Sequence, residues 1–135
     1  MKIEVTKSGE VTVLGIDEQR IDVSNADALK KLLTEVLDDS RHIVIDVGPV
    51  RFMDTYGIGA LLWCWMRLNA CDGELRLCSI AEPVREVLDL VKVSDILRIH
   101  DSSQEAADEL ARALARRSRR KPKRTTKKRT PRGRS

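Results

Sequence analysis

Aromatic residues are almost missing from this chain: one Phe, one Tyr and two Trp make up 3% of 135 residues. A core must therefore come from Val, Ile, Leu and Ala, as in parallel strands covered by helices on their faces. Histidine is scarcer still. His42 stands at the start of a β-branched run and His100 after one, and each is expected as a surface or strand-end residue. The three cysteines, Cys64, Cys71 and Cys78, are odd in number and form no CxxC pair. Disulfide and zinc frameworks are thereby excluded, and buried reduced thiols are expected. No GxxxxGK[ST] or GxGxxG loop and no spaced nucleophile is present, so neither catalysis nor a cofactor or metal is expected. The longest apolar run, Gly57 to Met66, is closed by Arg67. That is about half of the ~20 residues a spanning helix needs. The N-terminal segment alternates polar and apolar residues instead of resembling a signal peptide, and the expected location is the cytoplasm.

Acidic residues are missing altogether from the last 24 positions, whereas 13 of the 25 Lys and Arg lie there. The preceding 111 residues hold the other 12 basic side chains against all 21 acidic ones, so the net charge of +4 hides a body near −9 and a tail near +13. Partners must be argued for each piece separately.

Along the body, Ile3, Val5, Val11 and Val13 alternate with polar residues around Lys7-Ser8-Gly9-Glu10, which predicts a β-hairpin with one wet face. Ser24 and Asp27 resemble a capping box for a helix from about Asn25 to Leu37. His42 to Val47, HIVIDV, reads as a buried central strand. A second helix is expected from Gly57 to Ala70, then a strand over Glu74–Cys78. Pro83 opens a short helix with Val84, Val87, Leu88 and Val91 as its buried stripe, and a last strand covers Ile96–Ile99. Ser102 and Glu105 cap a final helix that ends near Arg116. The order ββαβαβαβα predicts one α/β domain over residues 1–115, with a mostly parallel or mixed sheet of four to five strands and about four helices. A disordered tail is expected over 116–135.

Between the central strand and the second helix stands FMDTYGIG. Asp54 and Thr55 precede the helix, where either can cap its unpartnered N–H groups. The segment also resembles the phosphorylation-site turn of the STAS domain family, the anti-sigma factor antagonists and their relatives, whose pattern is F-x-D-S-S-G-[LI]-G. Phe52, Asp54, Gly57, Ile58 and Gly59 match it, Thr55 stands at the phosphorylated position, and the resemblance implies that Asp54, Tyr56, Gly57 and Ile58 contact the partner. Tyr56 replaces the usual second Ser, and its ring either excludes a kinase or packs on a partner. The resemblance extends through Asp72–Leu77, the Pro83–Leu88 helix and the segment IHDSSQEA. It implies a protein-interaction switch in the control of transcription: the unphosphorylated chain binds an anti-sigma factor of the serine-kinase type, which phosphorylates Thr55 and so releases it. No small-molecule substrate is implied. By the same resemblance Asp22, with Ser24 nearby, borders the kinase footprint, although an ordinary helix-start signal explains these residues equally. A constitutive scaffold, in a lipid transporter or a stressosome-like assembly, is the alternative within the same fold.

Two further surfaces are expected. The second helix is apolar on two sides, so Trp63 with Met66 forms either a docking patch or part of the core. The tail carries Arg116, Arg117, Arg119, Arg120, Lys121, Lys123, Arg124, Lys127, Lys128 and Arg129, with no aromatic to stack on bases. It can serve as an electrostatic arm for nucleic acid, for an anionic membrane surface or for the acidic body, or simply as a solubilising extension.

Overall fold

The computed structural model describes residues 1–120. Its central element is the strand β4 (His42–Asp46), a β-branched run flanked on both sides by parallel partners, β2 (Val11–Ile16) and β6 (Glu74–Cys78). Outside β2 lies the antiparallel β1 (Ile3–Ser8), and outside β6 the parallel β7 (Arg98–His100), giving a mixed five-stranded sheet of order β1-β2-β4-β6-β7. Two short strands that no periodicity announced, β3 (Arg20–Ile21) and β5 (Phe52–Met53), pair in parallel as a separate ribbon.

Helices cover both faces. On one face α1 (Ala26–Leu37), α2 (Thr55–Ala70) and α3 (Glu82–Leu90) bury Leu29, Leu33, Leu61, Cys64 and Leu88 against Leu14, Ile43, Ile45 and Leu77. On the other, α4 (Ser103–Arg120) lays Ala106, Ala107 and Leu110 over Val11, Val44 and Cys78. The expectation of an α/β fold with a mixed sheet of four to five strands and about four helices holds.

Several local expectations do not. The hairpin's alternation predicted one buried face for both strands, yet β1 is exposed along nearly its whole length and Val5 is 48% exposed, while β2 is covered on both sides. Edge position decides this, because β1 lies beyond the reach of the helices. Ser24 does not cap α1. The N-cap residue is Asn25, whose side chain turns back to accept from the Asp22 N–H and donate to the Arg20 carbonyl. Helix α2 begins at Thr55, two residues before the expected Gly57, because Asp54 caps it. Val91, expected in the buried stripe of the third helix, is 46% exposed, and the last strand, expected from Ile96, starts only at Arg98.

Cys71 is exposed, whereas Cys64 and Cys78 are buried as expected. His42 opens β4, a strand end as expected; it is half-buried there, and its Nδ1 is buried without a hydrogen-bond partner. At α4 the capping box forms in modified shape: Ser102 Oγ accepts from the Glu105 N–H at 3.1 Å, and Glu105 reaches back to the Asp101 N–H at 3.0 Å. The helix continues past the expected end at Arg116 as far as Arg120, so Arg116, Arg117, Arg119 and Arg120 are helical. Lys121, Lys123, Arg124, Lys127, Lys128 and Arg129 lie outside the described residues.

Candidate functional site

The FMDTYGIG segment sits above the end of β4, where the chain leaves the sheet to start α2. Asp54, in extended conformation, accepts from the Tyr56 N–H at 2.9 Å and the Gly57 N–H at 3.0 Å through Oδ1. Two of the amides left open at the start of the helix are thereby satisfied. Its other oxygen, Oδ2, accepts from the Val23 N–H at 3.1 Å. One carboxylate therefore caps α2 and ties it to the loop before α1, while Asp54's own N–H donates to the Ile21 carbonyl.

That loop is shaped by Asp22, which accepts from both the N–H and the hydroxyl of Ser24 and from Arg20 Nε. The Ser24 hydroxyl, then its N–H, then Arg20 hold the Asp22 carboxyl below its usual range, so it is an anion at neutral pH. Asp22 and Ser24 thus form an Asx turn, not a helix cap. A polar cleft beside the turn is lined by Glu18, Arg20, Asp22, Ser24, Asn25 and Arg51.

Thr55, the first residue of α2, is exposed, and so is Tyr56 at 60%. Gly57 and Ile58, read from sequence as partner contacts, are buried instead. Ile58 is 7% exposed and belongs to the core, and a Cβ on Gly57 would stand 2.5 Å from the Ile21 carbonyl oxygen and 2.8 Å from Met53 Cγ. The first glycine of the motif lets α2 press against the β3–β5 ribbon. The second does something else, since a Cβ on Gly59 would meet nothing within 4 Å. Gly59 is exposed one helical turn from Thr55, on the same face.

Of the two surface candidates farther along α2, Met66 is 60% exposed. Trp63 is half-buried against the core, with the Arg67 guanidinium 5.2 Å over its ring, so the two alternatives divide between the residues: Trp63 packs on the core and Met66 is open. Sequence reasoning missed Val23, 63% exposed beside Asp54, and Phe52, whose ring lies 4.2 Å under Arg20. The Asx pattern of Asp22-Val23-Ser24 was the one available signal for the loop. Among the described residues no group of three or more His, Cys, Asp or Glu is placed to hold a metal ion, and no helix is long and apolar enough to cross a membrane.

The STAS domain model matches residues 2–106, which spans the sheet, the capped turn and the loop tied to it. The chain belongs to the STAS domain family. Among related STAS proteins, the anti-sigma F factor antagonist of Paenibacillus polymyxa is 26% identical over 111 residues, 81% of this chain and 94% of its own. The STAS domain protein of Planctomyces limnophilus superposes with a TM-score of 0.75 at 24% identity, over 81% of this chain and 97% of that one. The Bacillus cell fate determinant SpoIIAA, solved in its phosphorylated form, superposes with a TM-score of 0.64 at 17% identity, over 81% and 99%. At these identities the two structures establish the shared STAS fold.

Proposed function

We propose that this protein is a cytoplasmic anti-sigma factor antagonist whose partner binding is controlled by phosphorylation of Thr55. The observation that carries the reading is the exposed Thr55 hydroxyl on the first residue of α2, flanked by Asp54 and bordered by the Asp22–Asn25 loop that Asp54 holds. The names borne by related proteins, anti-sigma F and anti-sigma-B factor antagonists, support the same reading.

In its unmodified state the turn offers a surface on which Thr55, Gly59 and Tyr56 are open and Val23 stands alongside. An anti-sigma factor of the serine-kinase type would dock there. Gly59 allows its backbone to approach α2 closely, and Tyr56 adds an aromatic contact of the kind enriched at binding hot spots. The same kinase would transfer the γ-phosphate of ATP to Thr55 Oγ1, releasing ADP and the hydroxyl proton.

A phosphate adds about −1.5 to −2 charges. Asp54 already occupies the Tyr56 and Gly57 amides, so the new anion gains the field of the helix end but not those donors. It would remain facing solvent, on the side of the turn shaped by Asp54 and the Asp22 carboxylate, and repel the partner without unfolding the turn. The protein acts in this scheme as a regulatory binding module and not as an enzyme.

Incubation with serine-kinase anti-sigma factors and ATP, followed by mass-spectrometric mapping, tests the proposal. Phosphate on Thr55, absent from Thr55→Ala, with loss of the complex on modification, is the expected result. Failure of every kinase to bind the unmodified chain or to modify Thr55 would overturn it.

A further inference from the structure

Helix α2 is apolar on its outer side as well as on its inner one. Ile58, Ala60, Leu61, Cys64 and Leu68 form the inner side and belong to the core. Away from them, Tyr56, Gly59, Trp63, Met66 and Ala70 follow one another at intervals of three, four, three and four residues. That spacing draws one stripe along a helix, the seam through which paired helices interlock. Tyr56 and Met66 are each 60% exposed, Gly59 and Ala70 are exposed, and Trp63 alone is half-buried. The stripe is also free of charge. Arg67, on its flank, is the one charged residue among the sixteen of α2, whereas α1 carries four in twelve. An open apolar stripe of this kind marks a place of association.

The stripe is complementary to itself. When two α2 helices lie antiparallel with a two-fold axis level with Leu61, Tyr56 stands opposite Met66 of the second copy and Gly59 opposite its Trp63, and each pair recurs in reverse. Large then meets small, because a Cβ on Gly59 would find nothing within 4 Å and the outer part of Trp63 takes that space. Thioether meets phenol ring at the other pair, a favourable sulfur–aromatic contact. The two Arg67 side chains, each six residues past Leu61, stand about 18 Å apart along the pair, so no like charges are opposed. Elsewhere the body, near −9, repels its like. An uncharged stripe is where two such bodies can meet.

We propose that the outer stripe of α2 is a self-association surface, along which two copies of this chain pair antiparallel with Tyr56 against Met66 and Trp63 over Gly59. The sixteen residues of α2 span about 24 Å. One helix pair of that length covers less than the ~800 Å² per partner of a standard interface, so the dimer is weak and reversible. Tyr56 directly follows Thr55, and the second copy therefore covers the turn. Only the monomer presents Thr55 to another protein. The inference does not rest on the partner-switching reading.

Sedimentation of the full chain from low micromolar to near-millimolar concentration, at moderate and at raised salt, tests it. The average mass should climb from the 15.3 kDa of one chain toward twice that value. It should do so at both salts, because an apolar contact survives screening and an attraction between basic and acidic segments does not. Met66→Lys and Tyr56→Glu, at exposed positions where the melting curve should match the parent's, should each hold the mass at 15.3 kDa by bringing charge into the stripe. Both substitutions in one chain should restore association, since the register sets each introduced lysine opposite an introduced glutamate of the other copy. A parent that stays monomeric, single variants that associate as the parent does, a double variant that fails to recover, or association lost at raised salt overturns the proposal. A monomeric parent whose binding to an anti-sigma factor is weakened by Met66→Lys overturns it as well and gives the stripe to that partner.

Discussion

Asp54 is asked to do two things at once, and its substitutions separate them. Asp54→Ala removes the cap of α2 and leaves the Val23 N–H without its acceptor. Loss of a cap of this kind costs roughly 0.5–2 kcal/mol, a change readable in urea denaturation. Asp54→Asn, which can still accept at the N-cap, should recover most of it. The two glycines that follow make a second contrast. Gly57→Ala forces a Cβ to 2.5 Å from the Ile21 carbonyl oxygen, a backbone atom that cannot turn aside, and should lower the melting temperature. Gly59→Ala meets open space and replaces glycine within a helix, and should stabilise by up to about 1 kcal/mol. Periodicity and motif matching treat these glycines alike, and only the neighbours of each Cβ distinguish them. The same limit explains why Ile58 reads as a contact from sequence and proves to be core.

Strands and helices differ in how much of their setting their own residues reveal. HIVIDV announces a central strand because every side chain from Ile43 to Ile45 must leave water, and β4 does lie between two partners. The hairpin's alternation suits an edge strand and a covered one equally, which is why exposed β1 and covered β2 were not told apart. Val5→Thr at the edge should change stability by no more than about 0.5 kcal/mol. Val44→Thr, which buries a hydroxyl between β4 and α4, should cost roughly 1–3 kcal/mol by denaturant titration. The β3–β5 ribbon joins residues more than thirty positions apart through two pairs, too short for any pattern to show. Its effect is large all the same, since it sets the Ile21 carbonyl against Gly57 and so positions the Asp54–Gly57 turn.

For the whole molecule, burial of ionisable groups on both sides of the sheet sets the pH range of stability. Burial pushes the Cys64 thiol up to about 12 and the Cys78 thiol up to about 11, from an ordinary value of 9.0. Both stay protonated in the folded chain at pH values where the unfolded chain has released the proton. Their contribution is complete below pH 9 and declines as pH rises from 9 toward 11–12, by up to about tenfold in the folding constant per pH unit for each thiol. Denaturation midpoints measured from pH 8 to 11 should fall accordingly, and Cys64→Ala should flatten the decline. His42 acts at the acid end. Burial, its main influence, depresses the imidazole below 6.5, so its contribution is present above that pH and is lost as pH falls. Alkylation of the native protein near pH 8 should modify Cys71 alone, with Cys64 and Cys78 reacting only after unfolding.

By itself, the order of apolar periods, turns and caps determined that this chain forms one α/β domain with a mixed sheet, because each such signal is local. The same is true of the charge division at Arg112 and of the likeness of FMDTYGIG to the turn pattern of the STAS family. What the tertiary structure decided is non-local: which strand is the edge, which glycine is closed in, and that Asp54 reaches 31 residues back to hold Val23. It also decided that α4 runs back along the sheet and brings Arg117 beside Asn69, Asp72 and Glu74, where α2 finishes and β6 begins. Contacts between distant segments depend on how helices pack over the sheet, and no single stretch of sequence contains that geometry.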